Sequence, residues 1–161
     1  MPPLHERSGH FGWYATMALE SHPMTRFYDI DAADAAIPEL EGILARLGGQ
    51  RTELVRLRDE VLTGSGPGEW ASTAVADRSA PELRLTRLRM QGLIDQMAAD
   101  VARIDALGLT LRDIERGLVD FPALASGRQI WLCWQRGERA IGWWHSLDTG
   151  FSGRRPLSEL T

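Results

Sequence analysis

The residues best equipped for chemistry gather near the C-terminal end of the chain. His145 is the only histidine outside the N-terminal segment, and Cys133 is the only cysteine. Four of the six tryptophans, Trp131, Trp134, Trp143 and Trp144, stand close to them in sequence. Asp120 precedes this block, Glu138 lies inside it, and Asp148 follows His145 by three residues. An imidazole with several carboxylates is a usable ligand set for zinc, manganese or iron. It serves equally well as a general acid/base pair. Asp120, Glu138, His145 and Asp148 are therefore the candidate ligands of a divalent metal. The plainer alternative is a histidine at a sheet edge whose ring is held by a carboxylate.

No H-E-x-x-H pair or paired cysteines sharpen the metal reading, and no Walker loop, Rossmann fingerprint or G-x-S-x-G elbow occurs. Cys133 would need a base to become a nucleophilic thiolate, and strand alternation puts His145 on the opposite face, so Cys133 reads as a buried structural residue. The segment Gly150-Phe151-Ser152-Gly153-Arg154-Arg155 is the best prospect for a small anionic ligand. Its glycines expose backbone N–H groups, and Arg154 and Arg155 could clamp a phosphate or carboxylate. The alternative is a turn whose arginines pair with acidic residues of the helices. His5, Glu6 and His10 match no metal-ligand spacing.

These groups need a scaffold, and hydrophobic periodicity supplies one. Ile37, Leu40, Leu44, Leu47, Leu54 and Val61 recur at a three-four spacing, the seam of an amphipathic helix over about residues 32–62. Asp31 and Asp34 suit its start. Pro38 implies either a kink or a later beginning. Arg51 and Arg58 fall on the same stripe, so the seam is exposed there or meets carboxylates. A Gly-rich break spans residues 63–81. A second helix over about residues 82–107 carries Leu83, Met90, Leu93, Met97, Ile104 and Leu107, with Gly108 as its stop. Residues 109–116 read as a connector or short strand. Strands follow at 118–124, 128–135 and 140–147, separated by Ala125-Ser126-Gly127 and Arg136-Gly137-Glu138-Arg139. The expected fold is α+β, a long antiparallel helical hairpin packed on a small three-stranded antiparallel sheet. Residues 1–23 form an expected flexible tail before a single domain at 24–161, and Met24 is an alternative start.

A three-residue turn at 125–127 pairs Asp120 with Leu132, and the next hairpin pairs Cys133 with Gly142 and Leu132 with Trp143. Asp120, Leu132, Trp134, Trp143 and His145 then share one face, and Phe121, Trp131, Cys133 and Trp144 share the other. An offset of one residue in the first strand would move Asp120 across. Both faces are apolar, and one hairpin covers only one of them. The other must meet the N-terminal segment, a ligand or a second copy, with an isologous homodimer the leading expectation.

Composition bounds the function. At 161 residues with 43% hydrophobic and 25% charged residues, the chain has the make-up of a globular domain. No apolar run approaches the roughly 20 residues needed to cross a bilayer, and the N-terminus lacks the charged start and apolar stretch of a signal peptide. All eighteen basic residues are arginine, and asparagine is absent as well. Lysine and asparagine share A-rich codons, so a GC-rich genome explains both absences. The net charge of −4, with charges mixed along the chain, argues against a nucleic-acid partner. A lone cysteine fits a reducing cytoplasm.

Two stretches resemble a known family. Phe27-Tyr28-Asp29-Ile30-Asp31-Ala32-Ala33-Asp34-Ala35 is similar to its beginning. The block from Ile114 to Ala123, then Leu132-Cys133-Trp134, Gly137-Glu138, Ile141-Gly142, Trp144-His145 and Gly150 to Arg154, resembles its ending. The family is Domain of Unknown Function 2203, and the likeness covers about residues 25–157. The resemblance implies a small prokaryotic cytoplasmic protein and carries no activity, substrate or cofactor. The leading expectation is a self-associating interaction protein. The alternative is a metal- or small-anion-binding protein, with enzymatic chemistry left open, centred on His145 and the C-terminal arginines.

Overall fold

The computed structural model describes residues 26–63 and 80–160. The expectations for the N-terminal tail, for Met24 and for most of the Gly-rich break lie outside the described residues. Helix α1 spans Ile30–Thr63 and helix α2 spans Ala80–Ala106. Five strands follow: β1 Thr110–Asp113, β2 Leu118–Ala125, β3 Arg128–Gln135, β4 Trp143–His145 and β5 Arg155–Pro156. They form one sheet in the order β1-β2-β3-β4-β5, with every neighbouring pair antiparallel. The architecture is α+β as expected, but the sheet has five strands rather than three. The expected connector is β1, and the two-residue β5 is too short to leave a periodic signal.

Helix α1 starts where a side chain can satisfy its first N–H groups. The Asp29 carboxylate accepts the Ala32 N–H at 2.7 Å, and Asp31 adds negative charge to the first turn. Asp29 thus takes the capping place expected of Asp31 and Asp34. The helix continues through Pro38, giving up the one hydrogen bond that proline cannot donate. Helix α2 returns antiparallel, because Arg46 pairs with Asp100 at 2.7 Å while Glu53 pairs with Arg89 at 2.5 Å. Arg51 meets Glu115, and Arg58 meets Asp59 beside it, so both arginines of the stripe are solvent-side ion pairs.

Burial divides the hairpin into two halves. Near the sheet, Ala33, Ile37, Leu40, Ile43, Leu44 and Leu47 share one core cluster with Ile104 and with Val119, Phe121, Ala123, Ile130, Leu132 and Trp134 of the sheet. Farther out Leu57 is buried, but Leu62, Leu85, Leu88 and Ile94 are 57%, 66%, 62% and 45% exposed. The 26–29 segment anchors the junction. The Tyr28 hydroxyl donates to the Leu107 carbonyl at 2.6 Å, and its ring stands edge-on to Phe121.

The register differs from the expected one at both hairpins. Asp120 pairs with Cys133 rather than Leu132, because Ala125 pairs with Arg128 across a two-residue turn. Ser126 and Gly127 both hold positive φ, at 49° and 74°, the signature of a type I′ turn. At the next connection Cys133 pairs with Trp143, not Gly142, and Leu132 pairs with Trp144. The strand expected from residue 140 begins only at Trp143, because other groups take the backbone before it. The Ile141 N–H donates to Asp34 at 2.7 Å, and the Gly142 carbonyl accepts the Leu157 N–H at 3.0 Å. Glu138 accepts the Gln135 N–H, and its carbonyl accepts the Trp134 indole N–H.

One face therefore carries Val119, Phe121, Ala123, Ile130, Leu132 and Trp134 against the helices. The opposite face carries Leu118, Asp120, Pro122, Trp131, Cys133, Trp143 and His145. That second face is not left bare. The chain beyond His145 folds over it, with Leu147 and Phe151 beside Leu118 and His145.

Candidate metal centre

Three strands and one irregularity place the ionisable groups. Asp120 sits on β2, Cys133 lies directly opposite it on β3, and His145 ends β4 opposite Trp131, one pair further along. Cross-strand partners share a face, so the three side chains converge. Their ligand atoms lie within 4.8 Å of one another, and all three residues are buried. Between β1 and β2 the register shifts, so that Leu111 pairs with Val119 and Asp113 with Leu118. Arg112 is the extra residue of this bulge, a feature that re-aims a side chain. Its Nε–H donates to Asp120 Oδ2 at 2.7 Å, and its guanidinium lies 5.1 Å from the Trp131 ring centre.

The hydrogen bonds of His145 fix its chemistry. Nδ1 is 2.8 Å from the Ser146 carbonyl, which can only accept, so Nδ1 carries a proton. Nε2 then points at Asp120 Oδ2 from 3.1 Å. A nitrogen lone pair and a carboxylate at that distance require a positive centre between them, either a proton or a metal ion. Neither ring nitrogen is free to act on a molecule in the adjoining cavity, which weakens the general-base alternative. Asp120 Oδ1 is buried and receives no N–H or O–H donor, with only the Cys133 thiol, a weak donor, beside the carboxylate. A buried carboxylate oxygen so placed is costly unless a cation meets it.

Cys133 completes the group. Its thiol lies beside the Asp120 carboxylate and the Arg154 guanidinium. Burial, reinforced by the Asp120 charge and opposed by Arg154, pushes the thiol up to about 12. Without a metal it is a neutral thiol and no nucleophile, in keeping with the sequence reading. Its place beside His145 was missed because the expected register put the two residues on opposite faces. Direct pairing of Cys133 with Asp120 was the signal that a two-residue turn would have supplied.

The other candidate residues go elsewhere. Glu138 turns away from the cluster to accept the Gln135 N–H and the Arg154 guanidinium at 3.2 Å. Arg154 lies between the Trp143 and Phe151 rings, 4.6 Å and 4.4 Å from their centres. It packs the C-terminal segment onto the sheet, beside Cys133. Arg155 lies on the other face near the Trp144 ring, lining a separate cavity of about 270 Å³ with Arg128 and Gln129. The two arginines therefore do not form one clamp. Asp148 stays close to the cluster. With Asp120, His145 and Arg112 it lines a cavity of about 250 Å³, walled by Leu118, Leu147, Thr149, Gly150 and Phe151. The Ser146 hydroxyl holds the Asp148 carboxyl below its usual range.

A family model described as an uncharacterized conserved protein, DUF2203, matches residues 26–157. The chain belongs to the DUF2203 family. The match spans both helices and the whole sheet of this DUF2203 protein, and so contains Arg112, Asp120, Cys133, His145 and Asp148. No curated protein and no solved structure matches the chain.

Proposed function

We propose that this protein binds a divalent transition metal through His145 Nε2, a carboxylate oxygen of Asp120 and Cys133 Sγ. The observation that carries the reading is the pair of electron-rich groups facing each other, His145 Nε2 and the Asp120 carboxylate, with Oδ1 buried and met by no N–H or O–H donor. Three further features support it. A metal-bound histidine characteristically donates its other ring N–H to a carbonyl or carboxylate, the arrangement Nδ1 has with Ser146. A carboxylate ligand is itself held by outer hydrogen bonds, as Arg112 holds Asp120. Imidazole, thiolate and carboxylate together favour zinc over magnesium or calcium, which prefer oxygen alone. Metal binding would displace the proton from Cys133 and replace its charge interaction with Asp120 by a shared cation.

The test is equilibrium dialysis of the chelator-stripped full chain against zinc, followed by elemental analysis. One zinc per chain is expected, with His145→Ala and Cys133→Ser each lowering the affinity at least tenfold, which is about 1.4 kcal/mol. Wild-type protein that emerges without zinc would refute the proposal.

A second reading, self-association, draws on the outer half of the hairpin. Leu85 and Leu88 lie one turn apart on α2 and are largely exposed, as is Leu62 on α1. Apolar residues at that spacing suit helix-on-helix pairing of two copies. With both sheet faces covered near the core, the hairpin is the better seat for a homodimer. Sedimentation equilibrium of the wild type should give twice the monomer mass, and Leu85→Glu/Leu88→Glu should give the monomer. A monomeric wild type would end this reading.

A further inference from the structure

We infer that the metal keeps one exchangeable position facing the cavity, and that this position takes the carboxylate of a small monoanionic ligand, which Arg112 grips from the other side. The inference rests on the metal reading of Asp120, Cys133 and His145. Among the described residues these three are the whole ligand group, and no fourth histidine, cysteine or carboxylate joins them. Zinc sites with four protein ligands are closed and structural, whereas three leave a place for water or substrate. Asp120 and His145 both line the 250 Å³ cavity, so the open side of the metal has somewhere to face.

Arg112 lines the same cavity and is already oriented. Its Nε is committed to Asp120, and Trp131 lies under the guanidinium. Its terminal nitrogens make no other hydrogen bond among the described residues, so a fork of N–H groups remains for an oxyanion. Charge decides the class of ligand. A doubly charged metal with Asp120, a Cys133 thiolate and neutral imidazole is neutral, and Arg112 adds one positive charge that Asp148 across the cavity balances. Asp148 on the cavity wall opposes a second negative charge. A carboxylate is favoured over a phosphate dianion for that reason. Leu118, Leu147 and Phe151 offer an apolar wall to a short side chain attached to it. The cavity volume of about 250 Å³ suits a small ligand.

The experiment uses the full chain loaded with cobalt(II), whose visible bands report coordination and whose sulfur-to-metal band reports Cys133. Acetate and inorganic phosphate are titrated separately at constant ionic strength and pH. Acetate should shift the visible bands saturably while the sulfur-to-metal band persists, and phosphate should bind at least tenfold more weakly. At cobalt saturation, Arg112→Gln should weaken acetate roughly tenfold or more, the loss of charge-assisted hydrogen bonds. If cobalt gives no sulfur-to-metal band, the metal reading itself falls. If the band forms but acetate leaves the visible spectrum unchanged, the metal stands and the open carboxylate position falls. Phosphate binding as well as acetate would overturn the monoanion preference, and an unchanged acetate affinity in Arg112→Gln would overturn the role given to Arg112. Should Arg112→Gln not fold, the acetate and phosphate titrations of the wild type still decide.

Discussion

Replacing Asp120 by asparagine tests the metal reading through the stability that zinc adds. Asp120 is 1% exposed, accepts the Arg112 Nε–H at 2.7 Å and faces His145 Nε2 at 3.1 Å. Asparagine has the same shape. Arg112 Nε and His145 Nε2 both meet Oδ2, however, so an amide oxygen there keeps Arg112 but faces the Nε2 lone pair, and the NH2 takes the buried Oδ1 place without an acceptor. The charge lost opposite Arg112 adds to the cost, because Arg112 is 43% exposed but Asp120 only 2%, so the pair outweighs the about 0–1 kcal/mol of a surface pair. The metal-free variant should therefore lie about 1–3 kcal/mol below wild type. Asp120→Ala would also leave a buried imidazole nitrogen unpaired, at a cost of about 1–3 kcal/mol. Zinc at one hundred times its dissociation constant should stabilise the wild type by about 2.7 kcal/mol. For a chain of this size that is an upward shift of roughly 5–10 °C in midpoint temperature. Thermal unfolding followed by circular dichroism, with and without zinc, reads both quantities. The zinc-induced shift should vanish in Asp120→Asn, from a zinc-free midpoint that is itself lowered. An equal zinc shift in wild type and Asp120→Asn would refute Asp120 as a ligand.

Two further expectations test the frame around the site. Gly117 holds φ at +63°, and a Cβ there would lie 2.6 Å from the Arg136 Cβ, so Gly117→Ala should lower stability by about 1–3 kcal/mol in urea unfolding with an unchanged slope. In metal-free protein burial pushes the Cys133 thiol up from its ordinary 9.0 to about 12, so the folded state holds the extra proton between those values. Stability then falls as pH rises through that window, by about 1 kcal/mol at pH 10, and Cys133→Ala should flatten that slope. An unchanged alkaline slope in the variant would count against burial as the cause.

The two helices were legible because a three-four apolar spacing persists over many turns, and errors at their ends stayed within a turn. The strands β2 and β3 were legible from aromatic and branched residues between glycine-bearing turns. What escaped was set by contacts distant in sequence. Asp34 was expected to serve its own helix, yet its carboxylate holds the Ile141 N–H and delays β4. Glu138 was expected at a tip, free to bind metal, but the Gln135 N–H and Arg154 draw it inward. Arg112 carried no signal, because a bulge is a mismatch between two strands and neither strand alone records it.

The meeting of Asp120 and His145 depends on parity. The expected register was offset by one residue at the β2–β3 turn and by one again between β3 and β4. Each offset flips a strand relative to its neighbour, so two of them return β2 and β4 to a common face and flip only β3. That is why Asp120 and His145 were expected together and are together, while Cys133 changed places with Leu132 and Trp134. Ser126-Gly127 is a weak turn signal, since a type I′ turn favours Asn-Gly or Asp-Gly and serine at φ 49° is uncommon. The core, not the turn, must then hold the register. A slip of β2 by one residue would carry Asp120 into the helix-facing core and bring Phe121 out of it. Exposing Phe121 alone costs about 1.5–3 kcal/mol, and an unpaired carboxylate in the core adds several more. One glycine inserted between Ser126 and Gly127 should therefore be absorbed within the turn, leaving zinc stoichiometry at one and stability only slightly lower. Loss of zinc binding with the fold and its helix content retained would show that the turn sets the register, and the reasoning from the buried face would be wrong.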